Sequence, residues 1–257
     1  MQHGRKIVVF LPAYNTARPL AMTLKAIPRP PTDEMVVVDD GSKDNTAEVG
    51  RSMGATVISH PQNRGYGAAQ KTGFTEALKR GADVIVMVHS DFQYDPTLVP
   101  EIIAPLVDGR ADACFGSRMH DKHSARAGGM PWWRFIANIS LTFIEDSVLH
   151  LGLSEYHTGY RAYSREVLER IPWNLNSNNY VFDTEMIAEL RAGKFRVAEI
   201  AIPTRYSEES QSPTFWKSVR YGFSTLGVLW SYILHNLHVR KNTKFNIRTQ
   251  KREDFGN

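Results

Sequence analysis

Residues Val84 to Val88 form an unbroken apolar run, mostly β-branched, that gives way at once to His89-Ser90-Asp91-Phe92-Gln93-Tyr94-Asp95-Pro96. A short apolar run of this kind suits a strand buried on both faces, as in a parallel sheet. In such sheets ligands bind beyond the carboxyl ends of the strands. Side chains alternate along a strand, so His89, Asp91 and Gln93 share a side if the extended conformation continues. An imidazole, a carboxylate and an amide oxygen on one side would make a metal site. The rival reading is a solvated loop of ordinary turn residues.

The flanking sequence repeats the pattern. Ile7–Leu11 reads as a first strand turned by Pro12-Ala13-Tyr14-Asn15, and a helix is expected from Ala17 to Ile27, ended by Pro28, Pro30 and Pro31. Met35–Val38 is a second strand closed by Asp39-Asp40-Gly41-Ser42, with Asp44 expected to cap the next helix. Thr56–Ile58 is a third, and Asn63-Arg64-Gly65-Tyr66-Gly67 leads into a helix reaching Arg80. A helix over Leu98–Val107 and a fifth strand over Ala111–Phe115 follow. Strands alternating with helices predict right-handed βαβ units and a mostly parallel α/β sheet flanked by helices.

The second half is less regular. The segment 120–129 reads as a polar loop, Trp132–Leu151 as a helix, and Tyr156–Tyr163 as a strand or extended arm returning toward the site. Asp183–Leu190 is expected to be helical and Arg196–Ile200 a strand. No repeat or linker divides the chain, so one catalytic domain over 1–210 is expected. A helix over 211–240 and a basic tail over 241–257 complete it. In the helix Val219, Phe223, Leu226, Trp230, Ile233 and Leu237 form an amphipathic stripe. It falls short of the about 20 apolar residues a membrane span needs. It therefore either covers the domain's own core or lies in a membrane interface, the two readings being compatible on different faces.

Composition adds limits. The net charge of +4 is modest, yet six Lys or Arg fall between Arg240 and Arg252 with no acid among them. That stretch lacks interleaved aromatics apart from Phe245, so no nucleic-acid partner is expected. The single cysteine, Cys114, excludes an internal disulfide and reads as a packed strand residue. The N-terminus does not read as a secretory signal, which suits a cytoplasmic protein on the inner face of a membrane.

Pro12–Asn15, Val38-Asp39-Asp40-Gly41-Ser42, Asn63–Ala68 and Asp91–Pro96, in that order, resemble the inverting glycosyltransferases of family 2 with the GT-A fold. The resemblance is closest to the dolichyl- or polyprenyl-phosphate mannose synthase-like branch and covers roughly residues 6 to 206. It implies that Pro12, Ala13, Tyr14 and Asn15 contact the base and ribose of a nucleotide-sugar donor. It further implies that Asp40 pairs with the base, that Asp39 supports it, and that Gly65 and Ser90 belong to the same nucleotide site. A carboxylate suits that place because it accepts the N–H groups of uracil or guanine; the alternative for both aspartates is helix capping or turn formation. Asp91 matches the metal-binding aspartate of the family's Asp-x-Asp, and Gln93 is a frequent second ligand. The chain departs from the pattern at His89, where the first aspartate would stand. Imidazole ligation there would favour Mn2+ over Mg2+; alternatively, His89 contacts the ribose or diphosphate.

The expected reaction moves a hexose from a UDP- or GDP-sugar. A divalent ion, Mn2+ or Mg2+, on Asp91 would stabilise the leaving diphosphate. Arg118, Arg126, Arg134 and Arg161 are candidates for binding an acceptor phosphate, each with solvated surface charge as the alternative. The resemblance places Asp183 near the acceptor, as a general base for a hydroxyl or as a helix cap. A polyprenyl phosphate acceptor is expected from the arginine-rich loop and the interfacial helix, with a saccharide or polyol hydroxyl as the alternative. A non-catalytic nucleotide-sugar-binding protein is a third reading. No Gly-x-Gly-x-x-Gly follows the first strand, which argues against a dinucleotide-dependent oxidoreductase.

Overall fold

The computed structural model describes residues 4–120, 130–203 and 215–248. In chain order the elements are β1 (Ile7–Ala13), α1 (Ala17–Ala26), β2 (Glu34–Asp39), α2 (Thr46–Ser52), β3 (Thr56–Ser59), α3 (Tyr66–Lys79) and β4 (Val84–Met87). Then come α4 (Val99–Val107), β5 (Ala113–Ser117), α5 (Trp132–Leu149), β6 (Arg161–Ser164), α6 (Arg165–Arg170), α7 (Phe182–Ala192), β7 (Val197–Ala201) and α8 (Phe215–Asn236).

The strands make one seven-stranded sheet in the order β3-β2-β1-β4-β6-β5-β7. All neighbours are parallel except β6, which runs antiparallel between β4 and β5. The apolar runs explain why the sheet forms. Val8, Phe10, Ile85 and Met87 feed one core, while Ile7, Val9, Leu11, Val84 and Val86 feed another. Strands buried on both faces need no polar alternation, and each such side chain contributes about 1.5–3 kcal/mol by leaving water.

Several details differ from expectation. The arm over 156–163 becomes strand only from Arg161, and α2 is capped at Asn45 rather than Asp44. Asp44 instead accepts from the amides of Thr46 and Ala17, tying α2 to the start of α1. Cys114 is buried in β5, and burial pushes its thiol up to about 12, so it stays protonated and inert.

The two long helices of the second half are inverted relative to an ordinary amphipathic helix. On α5 the inward residues include Asn138 and Glu145, whereas Trp132, Ile136 and Phe143 face out. On α8 the buried face is Thr225, Leu229 and Tyr232, while Phe223, Leu226, Trp230 and the following Leu237 are exposed, Trp230 at 62%. The predicted stripe is thus largely the outward one. The helices pack against each other, Leu141 of α5 meeting Gly222 of α8. Among the described residues no helix is long and apolar enough to cross a membrane.

Candidate active site

A cavity of about 490 Å³ lies beyond the carboxyl ends of β1, β2 and β4. Its wall includes Pro12, Ala13 and Tyr14 after β1, Asp40 after β2, Gly65 before α3, and His89, Ser90 and Asp91 after β4. Four chain segments distant in sequence meet there because the parallel strands all point to the same edge. Ser90 Oγ donates to the Pro12 carbonyl at 2.9 Å, which locks the β1 and β4 ends together.

Asn15 and Asp39 do not line this cavity. Asn15, at a φ of 51°, accepts from the Lys43 amide at 2.8 Å, and Asp39 accepts from the Ser42 amide at 3.0 Å. Both hold the turns that border the cavity. Asp40 does line it, but its carboxylate is also an anchor. It lies 2.6 Å from His60 Nδ1 and accepts from the amides of Arg64 and Gly65 at 2.9 and 2.8 Å. Gly65 has a φ of +100°, and a Cβ there would stand 2.4 Å from the Asn178 carbonyl oxygen. Only glycine lets the 176–180 segment close over this loop.

A second cavity, of about 230 Å³, opens between α5, α8 and the 157–159 segment. The two share Tyr66, His89 and Tyr180, which form the wall between them. Tyr66 lies 3.1 Å from both Asp183 Oδ2, to which it donates, and His89 Nε2. Gln70 Nε2 donates to the other Asp183 oxygen at 2.8 Å. Burial pushes the Tyr66 phenol well above its usual range, reinforced by the Asp183 charge, so it remains a proton donor. Burial lowers the His89 imidazole, against the opposing pull of Asp91 and Asp183. Its ring also packs on Tyr94 at 5.1 Å, and a Cβ at Gly159 would stand 2.0 Å from its Nε2.

His89, Asp91 and Gln93 do not share a side. Phe92 adopts a φ of 57°, which ends the alternation that an extended strand would give. Asp91 therefore faces the larger cavity and Gln93 the smaller. The Gln93 amide closes a turn onto Asp91 Oδ1 at 3.1 Å. Among the described residues no three His, Cys, Asp or Glu side chains are grouped to hold a metal.

The four arginines separate. Arg118 and Arg134 line the smaller cavity. Arg118 is bound through its Nε to Glu155 Oε1 at 2.8 Å; burial raises the Glu155 carboxyl, but the charge and hydrogen bonds of Arg118 outweigh it and hold the group below the usual carboxylate range. Arg161 is wholly buried and lines neither cavity. It donates to the carbonyls of Thr158, Asp183 and Tyr156 and lies over the Phe115 ring. It is a cross-brace under the site rather than an acceptor ligand. Arg126 lies outside the described residues. Asp183 sits in the first turn of α7 rather than capping it, the cap being Val181, and lines the smaller cavity. Tyr66, His157 and Tyr221 also line it and were not expected from sequence; only Tyr66 stood in a recognised motif, Gly65-Tyr66-Gly67.

The family model described as glycosyl transferase family 2 matches residues 8–172. The UDP-N-acetylglucosamine–dolichyl-phosphate N-acetylglucosaminyltransferase of Methanococcus voltae is 26% identical over 80% of this chain and 88% of its own. The polyprenol monophosphomannose synthase of Mycolicibacterium smegmatis is 29% identical over 77% of each. The crystal structure of glucosyl-3-phosphoglycerate synthase from Mycobacterium tuberculosis, in complex with Mg2+ and UDP, superposes with a TM-score of 0.71. It is 20% identical and covers 90% of this chain and 80% of that one. The expected GT-A fold is thereby met, and so is the resemblance to the polyprenyl-phosphate branch. The chain belongs to glycosyl transferase family 2, and it is a glycosyltransferase.

Proposed function

We propose that this glycosyltransferase moves a hexose from a UDP- or GDP-sugar to polyprenyl phosphate at a membrane surface. The observation that carries the reading is the pair of cavities meeting at Tyr66, His89 and Tyr180. The larger is lined by the nucleotide motifs. The smaller opens between the two helices whose outward stripes are apolar, and it holds Arg118 and Arg134 for an anionic head. The two relatives named for lipid phosphates favour the same acceptor class.

Asp91 offers one carboxylate to the larger cavity, with Oδ1 engaged only by the Gln93 amide among the described residues. One carboxylate together with donor diphosphate oxygens suits a hard cation such as Mg2+ or Mn2+. His89 Nε2 is engaged by Tyr66, so the imidazole is better suited to contacting the donor than to ligating a metal. When bound, the cation would offset charge developing on the leaving diphosphate. The chain's own contribution is orientation. Asp40 holds the loop under the base, and Tyr66 and Gln70 fix Asp183. A phosphate acceptor is largely ionised near neutral pH, its second pKa being about 6, and needs no base.

The alternative, transfer to a saccharide or polyol hydroxyl, is favoured by Asp183, which could take the hydroxyl proton from that cavity. A screen of UDP- and GDP-sugars against a short polyprenyl phosphate and against free sugars, read as nucleoside diphosphate release, separates the two. Release that depends on the lipid phosphate supports the reading. Release that depends only on a hydroxyl acceptor transfers the lead to the alternative.

A further inference from the structure

Glu145 on α5 is wholly buried, and neither carboxylate oxygen is hydrogen-bonded by any described residue. Within ion-pair range, among the described residues, stands only His157, whose Nε2 lies 3.1 Å from Glu145 Oε2. The contact is out of line for a directed hydrogen bond, so it acts through charge. A buried carboxylate without compensation is costly, and among the described residues His157 is the side chain placed to offset it. The other ring nitrogen, Nδ1, lies 3.1 Å from the Tyr221 hydroxyl, which is 3.3 Å from Thr184 Oγ1. His157 and Tyr221 both line the smaller cavity.

What Tyr221 presents to the cavity turns on whether Nδ1 of His157 carries hydrogen. An imidazolium carries hydrogen on both nitrogens. Its Nδ1–H donates to the Tyr221 oxygen, and the phenol proton must turn away, toward Thr184 or an occupant of the cavity. With a neutral ring protonated at Nε2, Nδ1 would accept the phenol proton and the cavity would meet only an oxygen lone pair. Burial, reinforced by the Glu145 charge, pushes the Tyr221 phenol above its usual range, so it keeps its proton.

We propose that Glu145, acting through His157, sets Tyr221 as a hydrogen-bond donor to the anionic head of the acceptor. Tyr221 touches the ligand; Glu145 and His157 are positioning residues. The chemical class selected is a phosphate monoester over the corresponding alcohol, and the inference rests on the phosphate-acceptor reading above.

The test measures calorimetric binding of farnesyl phosphate and of farnesol to the full chain, with UDP binding and thermal melting as controls for folding. The parent is expected to bind the phosphate more tightly than the alcohol. Tyr221→Phe and Glu145→Gln should each weaken farnesyl phosphate about tenfold, the scale of one charge-assisted hydrogen bond, and leave farnesol and UDP unchanged. The double variant should be no weaker than either single one, since both act on the same proton. Tyr221→Phe alone carries the test should Glu145→Gln fail to fold. A parent without preference for the phosphate overturns the acceptor reading and this inference with it. A parent with that preference, retained in the variants or lost multiplicatively in the double variant, overturns this inference alone.

Discussion

Asp40→Ala separates an anchor from a simple base contact. The carboxylate is 3% exposed and serves three donors: His60 Nδ1 and the amides of Arg64 and Gly65. Removing it leaves those donors without an acceptor in a partly buried loop. At about 1–1.5 kcal/mol each after water enters, the loss is about 3–5 kcal/mol. That is a large share of the roughly 5–15 kcal/mol that holds a domain together. At about 2–4 °C per kcal/mol for a chain of this size, the melting point should fall by roughly 10 °C. Asp91→Ala is the matched control, since among the described residues its side chain accepts only the Gln93 amide. Thermal melting of both variants, with and without UDP, measures the contrast. A loss below about 1 kcal/mol for Asp40→Ala, no larger than for Asp91→Ala, would refute the anchoring role.

Further outcomes are expected. Asp91→Ala should abolish transfer while melting within a few degrees of the parent; retained turnover, followed as nucleoside diphosphate release, would remove its role. Gly159→Ala places a Cβ 2.0 Å from His89 Nε2, so overpacking should cost about 1–3 kcal/mol and transfer should fall. His89→Ala in the same chain should restore stability but not turnover, and urea unfolding checks the first part. Glu189 is wholly buried, and that burial pushes its carboxyl well above 4.5. Above that pH the unfolded chain releases a proton that the folded state keeps, so stability falls as pH rises toward the raised value. Glu189→Gln should therefore gain on the parent in melting temperature between pH 5 and pH 8; a constant gap refutes this. The protein should sediment with anionic vesicles and less so in high salt, each basic residue near the surface contributing about 1 kcal/mol. Phe223→Ser with Trp230→Ser should weaken that binding, and vesicle binding indifferent to both changes would discount the outward stripe.

The larger cavity was legible because the strands around it are apolar runs ended by polar clusters, and parallel order brings those ends to one edge. Pro12 to Tyr14, Asp40, Gly65 and Ser90 accordingly meet in one cavity. What could not be read was anything that depends on a single backbone angle or on long-range pairing. One left-handed residue, Phe92, sends Asp91 and Gln93 to different cavities. Arg161 read as an acceptor-phosphate ligand or a surface charge, but β6 inserts between β4 and β5 and carries it beneath the site. Periodicity found the α8 stripe without saying which way it faces, because the inward contacts are made by Thr225, Leu229 and Tyr232. The Glu145, His157 and Tyr221 cluster joins three segments with no motif among them.

The strand order also governs what a ribosome releases first. Strands β1 to β4 are contiguous neighbours and are complete once Met87 has emerged. Among the described residues strand β5 pairs only with β6 and β7, both synthesised after it. At about 5–20 residues per second, the 77 residues from Val88 through Ser164 take several seconds. Throughout that interval β4 has an open edge, because its second neighbour, β6, does not yet exist. The larger cavity likewise has its floor before Asn179 and Tyr180 arrive to close it. A nascent chain of this kind is exposed to edge pairing with other strands until β6 slots in, and a chaperone or an early-bound nucleotide would act during those seconds.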